Sequence, residues 1–121
     1  MKIRIRINET EYSAELTDTP PGESLSAQLP LSLTMNRSAD HEYYASMDSH
    51  PDLQDAEKTG FVKAGGIYYF APWKAVPLNF RDTDIHPYEV YVIGQTEPAL
   101  VSVLEAGNET VCVELRKGKQ K

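Results

Sequence analysis

Ile3, Ile5 and Ile7 alternate with Arg4, Arg6 and Asn8, and near the other end Val111, Val113 and Leu115 alternate with Cys112 and Glu114. A period of two sends successive side chains to opposite faces, so both ends of the chain read as half-buried β-strands. Two such strands need a common core with whatever lies between them. Tyr12, Ala14 and Leu16 repeat the alternation after the polar break Asn8-Glu9-Thr10, so a β-hairpin opens the fold. Further short runs of β-formers occur at 31–35, 41–47, 67–71, 75–80 and 90–93. Residues 36–40 read as a turn and 48–60 as a polar loop. Pro77 cannot donate to a ladder, so its stretch is expected at a sheet edge or at a bulge.

Two helices break the pattern. Thr19 stands ready as a cap with Pro20 at the first helical position, Leu25 and Leu29 lie four apart on one face, and Pro30 stops the turn. Pro98 opens a second helix over 98–105, and Gly107 ends it. Strands dominate without a βαβ rhythm. The fold class expected is therefore mainly β: a closed, eight-stranded antiparallel barrel with two short helices at its ends. A chain of 121 residues supports one domain, taken as 1–115, with a basic tail over 116–121.

Charge narrows the partners. The formal net charge is −6, and four of the cations (Arg116, Lys117, Lys119 and Lys121) sit in the tail, leaving eight basic and eighteen acidic side chains on residues 1–115. Such a body repels a phosphate backbone, which excludes nucleic acid. No apolar run approaches the ~20 residues of a membrane span, and the N-terminus is not a signal peptide. The lone Cys112 excludes an internal disulfide and a cysteine-built zinc site, and it sits where a cysteine usually serves as small apolar filling. A cytoplasmic protein is expected. The acidic stretch 40–57, with His41 and His50, matches no calcium loop and reads as solvated.

Catalytic signatures are missing. There is no Gly-x-Ser-x-Gly elbow, phosphate-cradling glycine loop or His-Glu-x-x-His helix, and no cofactor is expected. Asp82, Asp84 and His86 could form an acid–base cluster, but they read equally well as a loop between strands. The positive feature is aromatic: Tyr43-Tyr44, Tyr68-Tyr69-Phe70, Trp73 and Phe80 crowd the middle of the chain. Neighbours on a strand face opposite ways, so each pair is expected to place one ring inside and one outside. Outside rings can wall a groove or simply pack the barrel's flank.

Several local strings resemble the cyclophilins. Glu15-Leu16-Thr17-Asp18-Thr19-Pro20 is similar to that family's strand end, acidic turn and first helix. Gly66-Ile67-Tyr68-Tyr69-Phe70-Ala71 resembles the strand that ends in an alanine beside the proline-binding groove. Tyr91-Val92-Ile93-Gly94 followed by 98–104 resembles the later strand and second helix, and 111–115 falls in register as the closing strand. The family's isomerases carry a Phe-His-Arg stretch, then Phe-Met-x-Gln-Gly-Gly, and later Trp-Leu-Asp-Gly-Lys-His. None of these is present; Arg37, the only arginine of the matching region, falls in an expected turn, and 85–90 replace the tryptophan–histidine segment. Ala71 and Phe80 alone carry over as groove positions. The chain looks most like the small prokaryotic cyclophilin-like proteins of unknown function, in which Glu42-Tyr43-Tyr44, Gly65, Pro72 and Leu78-x-Phe80 resemble recurring positions.

The resemblance and the aromatics together imply a cyclophilin-like barrel whose outer groove binds a small molecule or an extended peptide, without efficient prolyl isomerisation. Tyr44, Tyr69, Pro72, Trp73 and Phe80 would form apolar walls beside Ala71, with Glu42 and His86 as polar contacts. The alternatives are an atypical peptidyl-prolyl cis-trans isomerase and a structural module whose aromatics bury against another subunit in an oligomer.

Overall fold

The computed structural model describes residues 1–48 and 51–118. β1 (Lys2–Ile7) and β2 (Thr10–Leu16) form the opening hairpin. Its two-residue turn places Asn8 and Glu9 at φ 52° and 68°, the left-handed pair that matches the twist of the flanking strands. Ile3, Ile5 and Ile7 all point inward and are almost fully buried.

After α1 (Pro20–Ser26) come β3 (Leu31–Ser38), β4 (Glu42–Ser46) and the two-residue strands β5 (Lys58–Thr59) and β6 (Phe61–Val62). β7 (Gly66–Tyr69), a 3-10 turn at Ala71–Trp73, β8 (Ala75–Asn79), β9 (Thr83–Asp84) and β10 (Val90–Thr96) follow. α2 (Pro98–Glu105) and β11 (Thr110–Lys117) complete the fold. Eight strands pair in the order β2-β1-β11-β3-β4-β8-β7-β10, and β10 returns to β2 through Gly94↔Leu16, Gln95↔Glu15 and Thr96↔Ala14. The barrel is closed and antiparallel. Gly94 permits the closure, because a Cβ there would lie 2.3 Å from the Glu15 carbonyl oxygen.

One continuous core fills the barrel: the three isoleucines of β1, Met35, Tyr43, Tyr69, Leu78, Phe80, Ile93, Val113 and Leu115. Leu25 of α1 and Leu100 and Leu104 of α2 plug the ends. Thr19 occupies the cap position of α1, but its hydroxyl pairs with that of Thr17 at 2.7 Å and caps no helical N–H. A second, smaller cluster lies outside the wall. There the β6–β9 ribbon covers Tyr68 and Val90 with Val62, and Phe70, Ile85 and Val92 pack alongside.

Four expectations change. Residues 36–38 are strand, with Arg37 opposite Tyr43, so the turn between β3 and β4 is confined to 39–41. Pro77 is at neither an edge nor a bulge. β8 lies between β4 and β7, and its ladder to β7 consists of Ile67↔Leu78 and the bridge Phe70↔Ala75, which step past the proline. Cys112 is exposed on the outer face of β11 rather than filling the core. Arg116 and Lys117 belong to β11, opposite Arg4 and Ile3, while Lys119 and Lys121 fall outside the described residues. Among the described residues, no helix is long and apolar enough to cross a membrane.

Candidate functional site

Tyr43 and Ala45 of β4 point into the barrel, so Glu42, Tyr44 and Ser46 between and beside them face outward. Across the sheet, Glu42 meets Asn79 and Tyr44 meets Pro77. The 3-10 turn after β7, with Pro72 inside it, ends at Lys74 in the left-handed region (φ 49°). Its geometry brings the Trp73 ring to 5.7 Å from Tyr44. Phe70 meets Trp73 edge-on at 5.3 Å, and Tyr88 from the loop after β9 meets Phe70 edge-on at 6.1 Å. Tyr44, Trp73, Phe70 and Tyr88 thus form one unbroken row, held by one tilted contact and two of the edge-to-face contacts that aromatic quadrupoles favour. Trp73 is 55% exposed and Tyr88 63% exposed.

A polar pair, His41 buried and Glu42 half-buried, stands at the β4 end of this wall. His41 Nδ1 lies 3.0 Å from the Ala39 carbonyl, which only accepts, so that nitrogen carries a proton. Nε2 lies 3.1 Å from Glu42 Oε1, and a single proton between them completes the contact. Burial pushes the Glu42 carboxyl above its ordinary range, and His41 partly opposes that shift. Next to it, Asn79 donates to the carbonyls of Lys63 (3.0 Å) and Arg81 (2.7 Å), which ties the loop carrying the ribbon to the wall. Its Oδ1 is buried without a hydrogen-bond partner.

Of the eight residues expected at the site, Tyr44, Pro72 and Trp73 come together at the surface, with Ala71 half-buried beside them and Glu42 two positions from Tyr44 on the same face. Tyr69 and Phe80 do not line an outer wall. Both are core residues, 0% and 1% exposed, because the alternation that sends Tyr68 outward sends Tyr69 inward, and Phe80, just past the end of β8, packs on Tyr43 at 5.8 Å. His86 stands on the ribbon side. Its ring lies over Gly60, where any Cβ would come within 2.3 Å of Nε2, and its Nδ1 pairs with Asp84 at 2.6 Å, holding that carboxyl below its usual range. Asp82 accepts from the Ala64 amide and fixes the same loop. Phe70 and Tyr88 join the row unforeseen. For Tyr88 a signal existed: a ring between Pro87 and Glu89, in a stretch without apolar periodicity, has no core to enter.

Arg37 is committed elsewhere. It donates to the carbonyls of Leu104 (2.9 Å), Glu105 (3.2 Å) and Gly107 (3.3 Å) and stacks over Phe80 at 4.4 Å. Arg81 binds the Asp40 carboxylate at 3.0 Å. Among the described residues, no group of three His, Cys, Asp or Glu side chains could hold a metal ion; His50 of the acidic stretch lies outside them. A hollow of about 470 Å³ lies over β1, β2 and β10, away from the aromatic row, with Lys2, Arg4, Glu15 and Glu97 among its lining.

A family model described as the Cyclophilin-like family matches residues 5–116, which takes in the barrel from within β1 to within β11. The chain belongs to the Cyclophilin-like family. The solution structure of the hypothetical protein AF2241 from Archaeoglobus fulgidus is similar to this cyclophilin-like chain with a TM-score of 0.64 and 23% identity, over 98% of this chain and 95% of that one. The structure of McbB in complex with tryptophan is similar with a TM-score of 0.68 and 12% identity, over 98% of this chain but 45% of McbB. At these identities the likeness is one of fold. No curated protein matches the chain.

Proposed function

We propose that this cyclophilin-like protein is a binding module that docks an extended peptide along its outer wall and does not isomerise prolyl bonds efficiently. The observation that carries this reading is the row Tyr44–Trp73–Phe70–Tyr88, with Trp73 and Tyr88 more than half exposed. A drug-sized ligand usually sinks roughly 70–90% of its surface into a concavity. A row of rings spaced 5.3 to 6.1 Å apart on an open wall suits a chain that advances about 3.3 Å per residue. Glu42 supplies a polar contact at one end. The exposed, unpaired Cys112 suits the reducing cytoplasm.

Isomerisation must overcome a barrier of about 18–20 kcal/mol, which needs a donor to the proline nitrogen as the amide twists. Arg37 and Arg81 are both already engaged, with the α2 carbonyls and with Asp40. A protease-coupled assay on an alanine–proline peptide is expected to show no acceleration over the uncatalysed exchange of tens of seconds or more. Robust turnover would reinstate the isomerase reading.

The McbB complex favours one second reading, a small aromatic molecule in place of the peptide. Trp73 is the only tryptophan, so its indole N–H gives one assignable NMR resonance. A pool of extended peptides is expected to move that resonance, and free tryptophan is not. The reverse outcome selects the small-molecule reading.

A further inference from the structure

We infer that the extended partner of this wall is cationic, a segment bearing lysine or arginine at spaced positions; the inference rests on the peptide-docking reading above. Charge around the aromatic row carries the argument. Residues 42–57 contain Glu42, Asp48, Asp52, Asp55 and Glu57 without a Lys or Arg, and 82–89 contain Asp82, Asp84 and Glu89 without one. Each segment reaches the row through one free carboxylate, Asp48 in the first and Glu89 in the second. Asp52 lies instead by α1, where its amide donates to the Ser24 hydroxyl at 3.0 Å, and Glu42, Asp82 and Asp84 are engaged by His41, the Ala64 amide and His86. Tyr44 belongs to the first, and the Met47 amide donates to the Lys74 carbonyl at 2.6 Å, which sets Asp48 beside the turn that carries Trp73. Tyr88 belongs to the second and touches Phe70, with Glu89 next in the chain. Lys74 is the single opposing cation of the 3-10 turn region, since Arg81 is paired with Asp40 and lies 3.7 Å from Glu105.

Exposed indole and phenol faces attract cations through their quadrupole, and a carboxylate-rich border raises the local concentration of positive ligands. The protein already shows this contact elsewhere: Arg37 and Arg81 lie 4.4 and 5.6 Å from the Phe80 ring centroid. On the outer wall, the rings of Trp73 and Tyr88 offer accessible surface of the same kind. An acidic partner would meet repulsion from both borders, and a neutral one would use only the rings.

The test uses three nine-residue peptides with one glycine–serine–alanine backbone, carrying three lysines, three glutamates or three glutamines. Binding is followed by the Trp73 indole resonance and by tryptophan fluorescence at low and high salt. The lysine peptide is expected to bind about tenfold more tightly than the glutamine peptide at low salt, and salt is expected to erase most of the difference. The double variant Asp48→Asn, Glu89→Gln is expected to lose most of the lysine preference while keeping the wild-type circular dichroism and Tm. Equal binding of lysine and glutamine peptides at Trp73 overturns the inference and leaves the docking reading standing. Lysine binding that moves other resonances but not Trp73 also overturns it. If no peptide of any charge, including the mixed pool, moves Trp73, the docking reading fails and takes the inference with it.

Discussion

Phe80 and Trp73 are both large aromatics near the same stretch of chain, yet they are 1% and 55% exposed. Removing a buried ring leaves a cavity that the barrel cannot refill, so Phe80→Ala is expected to cost about 3–5 kcal/mol in urea unfolding. Trp73→Ala touches the surface only and is expected to stay within about 1 kcal/mol while weakening peptide binding followed by titration calorimetry. Equal losses of stability would mean that Trp73 is structural. Glu42 gives a second residue-level prediction. Burial raises its carboxyl above the ordinary 4.5, so the folded protein holds that proton more tightly than the unfolded chain. The resulting stability is fully present below about pH 4.5 and is lost as pH rises through the folded value. Glu42→Gln has no such loss, so the Tm of the variant relative to wild type is expected to rise between pH 4 and 7. Asp40 and Asp84, whose carboxyls are lowered by Arg81 and His86, act oppositely and only below their ordinary 3.8, so the two effects separate along the pH axis. A flat difference across that range would refute the burial account of Glu42.

At the scale of elements, α2 depends on β3 for its termination. The helix has no basic residue in its last turn, and Arg37 reaches across from β3 to its final carbonyls and to the Tyr43 hydroxyl. Charge-assisted bonds of this kind contribute about 1.5–3 kcal/mol each when buried, less where water reaches them. Arg37→Met is expected to cost roughly 2 kcal/mol and to raise amide exchange in 103–107 before any other segment, which native-state exchange would show. Local pattern is enough to read both helices, because Pro20 and Pro98 mark starts that depend on no distant partner. It misplaces Arg37, because Asn36, Ser38, Ala39 and Asp40 are all compatible with a turn. The strand persists to Ser38 because β11 and β4 pair with it on both sides, and a single sequence carries no direct record of those pairings.

For the whole molecule, closure of the barrel removes every long free edge among its eight strands, leaving the two-stranded β6–β9 ribbon as the smallest independently paired unit. Hydrogen exchange is therefore expected to be slowest in β1, β11 and β4 with a common opening free energy, and clearly faster in the ribbon at 61–62 and 83–84. Uniform protection across both would show that the ribbon is part of the core. Alternation at Ile3-Ile5-Ile7 and Val111-Val113-Leu115 determined by itself which faces are buried and that the architecture is mainly β, since a period of two is a local property of the backbone. It also determined that Tyr43 and Tyr44 part company across the wall. Which side of the wall is wet was a different matter. Tyr68 points outward as its place in β7 requires, yet it is 6% exposed because a distant ribbon covers it, while Trp73 escapes that cover and Tyr69 and Phe80 close the core. Only the tertiary structure decided this, because burial on an outer face depends on long-range contacts that no local period encodes.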